Sequence, residues 1–147
     1  MTKYRSILAV VFAVITVFVV GCSSPTPTKK LTYTPEQISA IQSASSDLAQ
    51  MRDRLPELQN LIQQEDWIFA RNFIHGPLGE IRVKMSQVAR DLLPDAQKQA
   101  RQLAKEVANN LVDIDQAAAS TNYKDAVRYY GETVKDLDAF FNLLPKG

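Results

Sequence analysis

The sequence of 147 residues is short of several residue types, with one cysteine, one histidine and five glycines. A single cysteine excludes an intramolecular disulfide and a cysteine-rich zinc site, and a single histidine leaves few ways to pair a nucleophile with its base. No glycine-rich phosphate loop is present. The formal net charge is +1, far from the strongly basic balance of nucleic-acid-binding proteins. These shortages argue against an enzyme, an intrinsic cofactor and a nucleic-acid partner.

The first 21 residues have the features of a bacterial lipoprotein signal peptide. Lys3 and Arg5 precede the uncharged run ILAVVFAVITVFVV. As a helix this run would rise about 21 Å, short of the roughly 30 Å of a bilayer core, which disfavours a transmembrane span. It ends at VVGC, residues 19–22, which resembles a lipobox, where a cysteine is acylated and the peptide is cut before it. We therefore expect cleavage of residues 1–21, a lipid anchor on Cys22 and a function outside the cytoplasm.

The segment that follows the cysteine contains few apolar residues and two prolines. It reads CSSPTPTKKLTYT, residues 22–34, and cannot bury enough apolar area to order itself. Its length corresponds to a reach of at most about 45 Å when extended. We expect a flexible tether that keeps the following domain close to the membrane.

Beyond residue 34, apolar residues recur at spacings of three and four, without the alternation typical of strands. The pattern predicts a helical domain over residues 35–147, with helices at about 35–64, 66–93, 95–119 and 122–144. Thr34 and Gln37 form a capping box at the first helix, Pro56 predicts a kink or short break within it, and Gly76-Pro77 predicts a bend in the second. Short connections favour antiparallel neighbours, so the predicted fold is an all-α, up-down antiparallel four-helix bundle.

The predicted core consists of the apolar stripes of these helices, and it holds no carboxylate. Ala44 and Leu48 belong to the stripe of the first helix, and Val127 and Leu137 to that of the last. Two aspartate pairs, at 113 and 115 and at 136 and 138, are spaced by two residues and point in different directions on a helix. Neither pair is therefore expected to do acid/base chemistry.

His75 is the one imidazole of the sequence and lies beside the predicted bend. Folding could bring Glu65, Asp66 or Glu80 near it and form a weak divalent-metal site. No second histidine or thiolate is available to complete a specific site, so we favour a histidine at the surface or facing a partner.

Charge is segregated in the second half of the chain. Residues 81–105 carry six basic and two acidic side chains, a net charge of +4, whereas residues 106–138 carry three basic and seven acidic side chains, a net charge of −4. The basic segment is either a solvated face or a docking stripe for an acidic protein surface. The residues predicted to face a partner are His75, Gly76, Pro77, Arg82, Arg90, Lys98, Arg101 and Lys105.

Two stretches carry a resemblance to a known family. DWIFARNFIHGPLGEIR at 66–82 and YKDAVRYYGETVKDLDAFFNLLP at 123–145 resemble the PsbQ family of extrinsic photosystem II subunits, and the lipobox is similar to that of the cyanobacterial form. The resemblance implies a four-helix bundle anchored on the lumenal side of the thylakoid membrane. It also implies a non-catalytic role: docking on the photosystem II core and other extrinsic lumenal subunits, and stabilising the oxygen-evolving complex and its retention of calcium and chloride.

Two alternatives remain at this stage. One is a helical lipoprotein that acts as an assembly factor or scaffold for another extracytoplasmic membrane complex. The other is a metal-carrying bundle, which the absence of carboxylates from the apolar stripes disfavours.

Overall fold

The computed structural model describes residues 31–146, and these residues form α-helices joined by short connections. The six helices are α1 (Pro35–Asp53), α2 (Leu55–Gln63), α3 (Trp67–His75), α4 (Ile81–Asp91), α5 (Pro94–Ala119) and α6 (Tyr123–Phe141). No strand occurs in this part of the chain, which confirms the all-helical prediction. None of the described helices is long and apolar enough to span a bilayer. The predicted signal peptide, Cys22 and the tether as far as residue 30 lie outside the described residues.

The first predicted helix is divided in two at Arg54. Helix α1 begins at the capping box: the Thr34 hydroxyl accepts the Gln37 amide at 3.2 Å, and the Gln37 side chain accepts the Thr34 amide at 2.9 Å. Pro56 lies in the first turn of α2, where its missing N–H needs no helical partner. Arg54 keeps helical dihedral angles (φ −91°, ψ −7°), so the interruption is short.

The second predicted helix is interrupted over residues 76–80, where the sequence suggested a bend. Helix α3 ends at His75, and Gly76 leaves the helical region with φ −93° and ψ −91°. Leu78 stays buried within the interruption, so the core continues from α3 to α4. Gly79 approaches the preceding turn so closely that an added Cβ would lie 2.5 Å from the carbonyl oxygen of His75.

Helix α5 is the element on which most of the others pack. Helices α3, α4 and α6 contact it, α1 packs against α4, and α2 lies between α3 and α6. The connection at 120–122 turns the chain back so that α6 packs along α5. The largest fully buried side chains of the core include Ile41, Leu48, Leu58, Ile62, Leu78, Ile81, Met85, Val107, Ile114, Leu137 and Phe140.

Two residues predicted to lie in the core are exposed instead. Ala44 is exposed while Ser45 is buried, and Val127 is 42% exposed while Thr133 is buried. Both buried hydroxyls donate to carbonyls of their own helix, from Ser45 to Gln42 at 3.0 Å and from Thr133 to Tyr129 at 2.9 Å. This local bonding lowers the usual cost of burying a hydroxyl, so the buried face includes polar residues that a hydrophobicity pattern leaves out.

The described end of the predicted tether contacts the helical domain. Tyr33 packs against the core, and its hydroxyl accepts the amide of Leu93 at 3.0 Å. The chain therefore enters the domain beside the connection between α4 and α5.

Candidate docking groove between helices α4 and α5

Most of the predicted docking cations lie along the groove between α4 and α5. Arg82, Ser86 and Arg90 are spaced by four residues on α4 and therefore share one side of that helix. Together with Val83 and Arg101 of α5 they line a cavity of about 710 Å³. The sequence could place these arginines only on two separate helices, and the structure brings them to one groove.

The groove continues toward the start of α5. Lys98 and Arg101 line an adjoining cavity of about 400 Å³ with Pro94, Gln97 and Gln102, and Arg101 belongs to both cavities. Lys105 is exposed one helical turn beyond Arg101 and lines neither cavity. Four of the five predicted cations thus line this groove, which we call the basic groove, and Lys105 stands beside it.

The cations of the basic groove have no acidic partner among the described residues. Six of the thirteen lysines and arginines in residues 31–146 form ion pairs, namely Arg52, Arg54, Arg71, Lys84, Arg128 and Lys135. Seven do not, and five of these seven are Arg82, Arg90, Lys98, Arg101 and Lys105. The uncompensated positive charge of the domain is therefore concentrated at one place.

Gln97 holds one wall of the groove to the other. Its side-chain amide donates to the carbonyl oxygens of Arg90 at 3.0 Å and Leu92 at 2.8 Å, where α4 ends. Its side-chain oxygen accepts a hydrogen bond from the Arg101 guanidinium. These bonds fix Arg101 relative to the end of α4, and sequence analysis missed this role because Gln97 carries no charge.

Exposed valines border the basic groove. Val83 of α4 is 57% exposed and lines the larger cavity, and Val112 of α5 is 54% exposed. Val112 lines a further cavity of about 350 Å³, together with Arg82, Leu78 and His75. Arg82 belongs to both cavities, so the basic groove continues toward the interruption between α3 and α4.

His75 faces a carboxylate that the sequence did not single out. Asp115 of α5 accepts the Nε hydrogen of Arg71 at 3.0 Å, and His75 Nε2 lies 2.9 Å from the same oxygen. The carboxylate near the imidazole is thus Asp115, rather than Glu65, Asp66 or Glu80. Asp66 instead caps α3 by accepting the Phe69 amide at 3.4 Å.

The electrostatics of Asp115 favour its charged form. Its side chain is 19% exposed, and this burial raises the pKa. Hydrogen bonds from Arg71 and His75 outweigh the burial and hold the pKa of Asp115 below its ordinary value. Within the described residues, no group of three or more His, Cys, Asp and Glu side chains is arranged to hold a metal ion.

The predicted docking residues at the interruption are accessible. His75 and Gly76 are exposed, and Pro77 is partly exposed. His75 shares a cavity with Arg82, which places it at the far end of the basic groove, whereas Gly76 and Pro77 line neither that cavity nor the two cavities of the groove.

Comparison with known proteins agrees with the resemblance seen in the sequence. The PsbQ family, described as oxygen evolving enhancer protein 3, matches residues 4–145 of the chain. The protein CyanoQ of Synechocystis sp. is 40% identical over 147 residues, which cover 99% of this chain and 99% of CyanoQ. Both similarities extend over almost the whole sequence, and the chain therefore belongs to the PsbQ family.

Proposed function

We propose that this protein is a non-catalytic extrinsic subunit of photosystem II. The observation that carries the proposal is the family match over residues 4–145, supported by the 40% identity to CyanoQ over nearly the full length. In this role the protein docks on the lumenal side, on the photosystem II core and other extrinsic subunits. It stabilises the oxygen-evolving complex and helps that complex to retain calcium and chloride, while holding no cofactor of its own.

The proposal includes a lipid anchor on Cys22 that keeps the protein at the thylakoid membrane. It rests on the sequence of the lipobox and on the composition of the tether, and residues 1–30 lie outside the described part of the chain. An anchored domain meets its partner at a high effective concentration, so a weak contact is sufficient for stable association.

We further propose that the helices form an up-down antiparallel four-helix bundle. In this arrangement α1 with α2 and α3 with α4 make two interrupted segments, and α5 and α6 make the other two. Contacts between helices distant in sequence support it: Lys84 bonds Asp47 at 2.6 Å, and Asn110 bonds Asp136 at 2.9 Å. The short connections between the segments also favour antiparallel neighbours.

Purification through a carboxyl-terminal tag tests the assignment. The full chain is produced in a cyanobacterial host, thylakoids are solubilised with mild detergent, and the captured proteins are identified by mass spectrometry. We expect oxygen-evolving photosystem II core subunits, together with an amino-terminal peptide that begins at acylated Cys22. An acylated chain captured with a different membrane complex would overturn the photosystem role and favour an assembly factor or scaffold for that complex.

A strain that lacks this chain tests the retention of ions. Oxygen evolution is compared with the parent strain in complete medium and in media depleted of calcium or chloride. We expect a deficit that grows on depletion and is corrected by the full chain. A deficit of the same size in all media would contradict the role in ion retention while leaving the association with photosystem II intact.

A further inference from the structure

We propose that the basic groove between α4 and α5 binds an acidic amphipathic helix of a protein partner. This inference rests on the proposed function for the identity of the assembly, in which such a helix would belong to another subunit. It adds the site of contact and the chemistry of the segment bound there. The binding mode is an amphipathic helix laid in a groove, with charge complementarity along its length.

The charge of the groove selects an acidic partner. Arg82, Arg90 and Arg101 surround one cavity, and Lys98 extends the positive charge along α5. None of the four forms an ion pair within the described residues. Asp115, which lines a cavity together with Arg82, is already bonded to Arg71 and His75. An incoming carboxylate therefore displaces no internal ion pair.

The spacing of the cations fits a helix better than a single anionic group. Arg82 and Arg90 are eight residues apart on α4, which corresponds to about 12 Å along the helix axis. Carboxylates at positions i, i+4 and i+8 of a bound helix span the same length in steps of about 6 Å. One phosphate or one lipid headgroup would reach only part of this row.

The valines give the groove an apolar component. Val83 lies within the larger cavity between the arginines, and Val112 lies beyond Arg82 on the other wall. Both are more than half exposed in the free domain. Apolar residues on the same face of the bound helix would cover them and remove that area from water.

Gln97 prepares the groove for binding. Because it links Arg101 to the end of α4, this guanidinium is held in place before a partner arrives. Less side-chain freedom is then lost on association, which favours affinity. Gln97 is therefore a positioning residue of this surface.

A synthetic peptide provides the direct test. It is a helical peptide of about 16 residues with glutamates at i, i+4 and i+8 and leucines at i+3 and i+7. Its binding to the mature chain is followed by fluorescence anisotropy at low and at moderate ionic strength. We expect binding that weakens with salt and is lost when the glutamates are replaced by glutamines.

The double variant Arg90→Gln/Arg101→Gln locates the binding surface. We expect its affinity for the peptide to fall by at least about fivefold, because two charge pairs are lost. The matched control is Lys124→Gln/Lys146→Gln, which removes two exposed cations that form no ion pair within residues 31–146 and lie outside the groove. An equal loss in both variants, or binding of the glutamine peptide, would overturn the proposal.

Two further measurements separate this inference from the proposed function and from a lipid ligand. If the wild type and the groove variant capture photosystem II equally well, the proposed groove contact is wrong and the proposed function stands. If the groove binds the peptide but the chain does not capture photosystem II, the proposed function is wrong and the groove as a site for an acidic helix stands. Vesicles of anionic phospholipid should leave the peptide bound, and displacement of the peptide by them would overturn the assignment to a protein helix.

Discussion

Asp115 joins two helices, α3 and α5, through one carboxylate. It lies on α5, while Arg71 and His75, which contact it, lie on α3 just before the interruption of residues 76–80. Burial opposes its charge, and the hydrogen bonds from Arg71 and His75 outweigh that burial, so the pKa of Asp115 is lowered. A carboxyl whose pKa is lowered by folding stabilises the folded state only while it is ionised.

We expect Asp115→Asn to lower the free energy of unfolding by about 1 kcal/mol near pH 7, since two polar contacts lose their charge. The loss is present above the ordinary aspartate pKa of about 3.9 and disappears as the pH falls through the lowered pKa of the folded state. Urea unfolding of the mature chain at neutral and acidic pH measures it. Asp113→Asn is the control, because Asp113 forms no ion pair within the described residues, and equal losses in the two variants would contradict the expectation.

Asp136 shows the opposite shift. Burial and the nearby charge of Glu106 raise the pKa of Asp136, although Asn110 donates a hydrogen bond to it at 2.9 Å. Its ionised form therefore costs stability at neutral pH, and the cost disappears as the pH falls below the ordinary aspartate pKa.

We expect Asp136→Asn to raise the free energy of unfolding by up to about 1 kcal/mol near pH 7, since the substitution removes a partly buried charge and an amide oxygen can still accept from Asn110. The gain should shrink toward zero in acid. The same urea titrations measure it, with Asp113→Asn again as the reference. A variant less stable than wild type at neutral pH would show that the hydrogen bond to the charged form dominates.

At the scale of elements, two glycines have opposite effects on stability. Gly79 lies in the interruption between α3 and α4, and Gly131 lies within the last helix, α6. Gly79 lies where an added Cβ would meet the His75 carbonyl at 2.5 Å, so Gly79→Ala forces the backbone of residues 75–79 to move. Gly131 lies within α6, and nothing stands within 4 Å of an added Cβ.

We expect Gly79→Ala to lower the free energy of unfolding by about 1–3 kcal/mol through overpacking. We expect Gly131→Ala to raise it by about 0.5–1 kcal/mol, because alanine loses less backbone entropy in a helix. Thermal unfolding of the two single variants gives both signs in one experiment. Similar destabilisation by both substitutions would mean that α6 uses Gly131 for a close contact absent from the free domain.

The elements also show how far sequence patterns reach. The buried side of α5 follows from its sequence, because Leu103, Val107, Leu111 and Ile114 recur there at spacings of three and four. Pro56 and Gly76 likewise mark the two interruptions. The apolar pattern misplaces part of the buried face of α6: Val127 is exposed, whereas Thr133 is buried. The hydroxyl of Thr133 can be buried because it bonds to a carbonyl of its own helix. Charge alone picked out Arg82, Arg90 and Arg101, but only packing of α4 on α5 shows that they share a groove. Gln97 carries no sequence signal. The sequence offers Asp115 only as one of two aspartates spaced by two residues, and only the fold brings Arg71 and His75 to it.

At the scale of the whole molecule, the proposed anchor and the basic groove act on the same equilibrium. A tether concentrates the domain near its partner, and the groove supplies a contact made of exposed charges, each of which contributes little by itself. Stable association then depends on both features, and weakening either one reduces it.

Replacing residues 1–22 by an ordinary secretory signal, cleaved before Ser23, removes the proposed anchor and leaves the described domain unchanged. We expect the variant to reach the lumen unacylated and its retention on photosystem II after dilution to fall by about 100-fold, the loss typical of removing one of two linked contacts. Because the anchor no longer contributes, the charged groove carries a larger share of the binding, and retention should also become more sensitive to salt than in the anchored protein. Quantitative mass spectrometry of isolated photosystem II before and after dilution measures both effects.

The anchored Arg90→Gln/Arg101→Gln variant is the matched comparison, since it weakens the groove and keeps the tether. If the unanchored chain is retained as well as wild type, the contact surface alone holds the protein on its complex, and the lipid on Cys22 serves only to deliver it to the membrane.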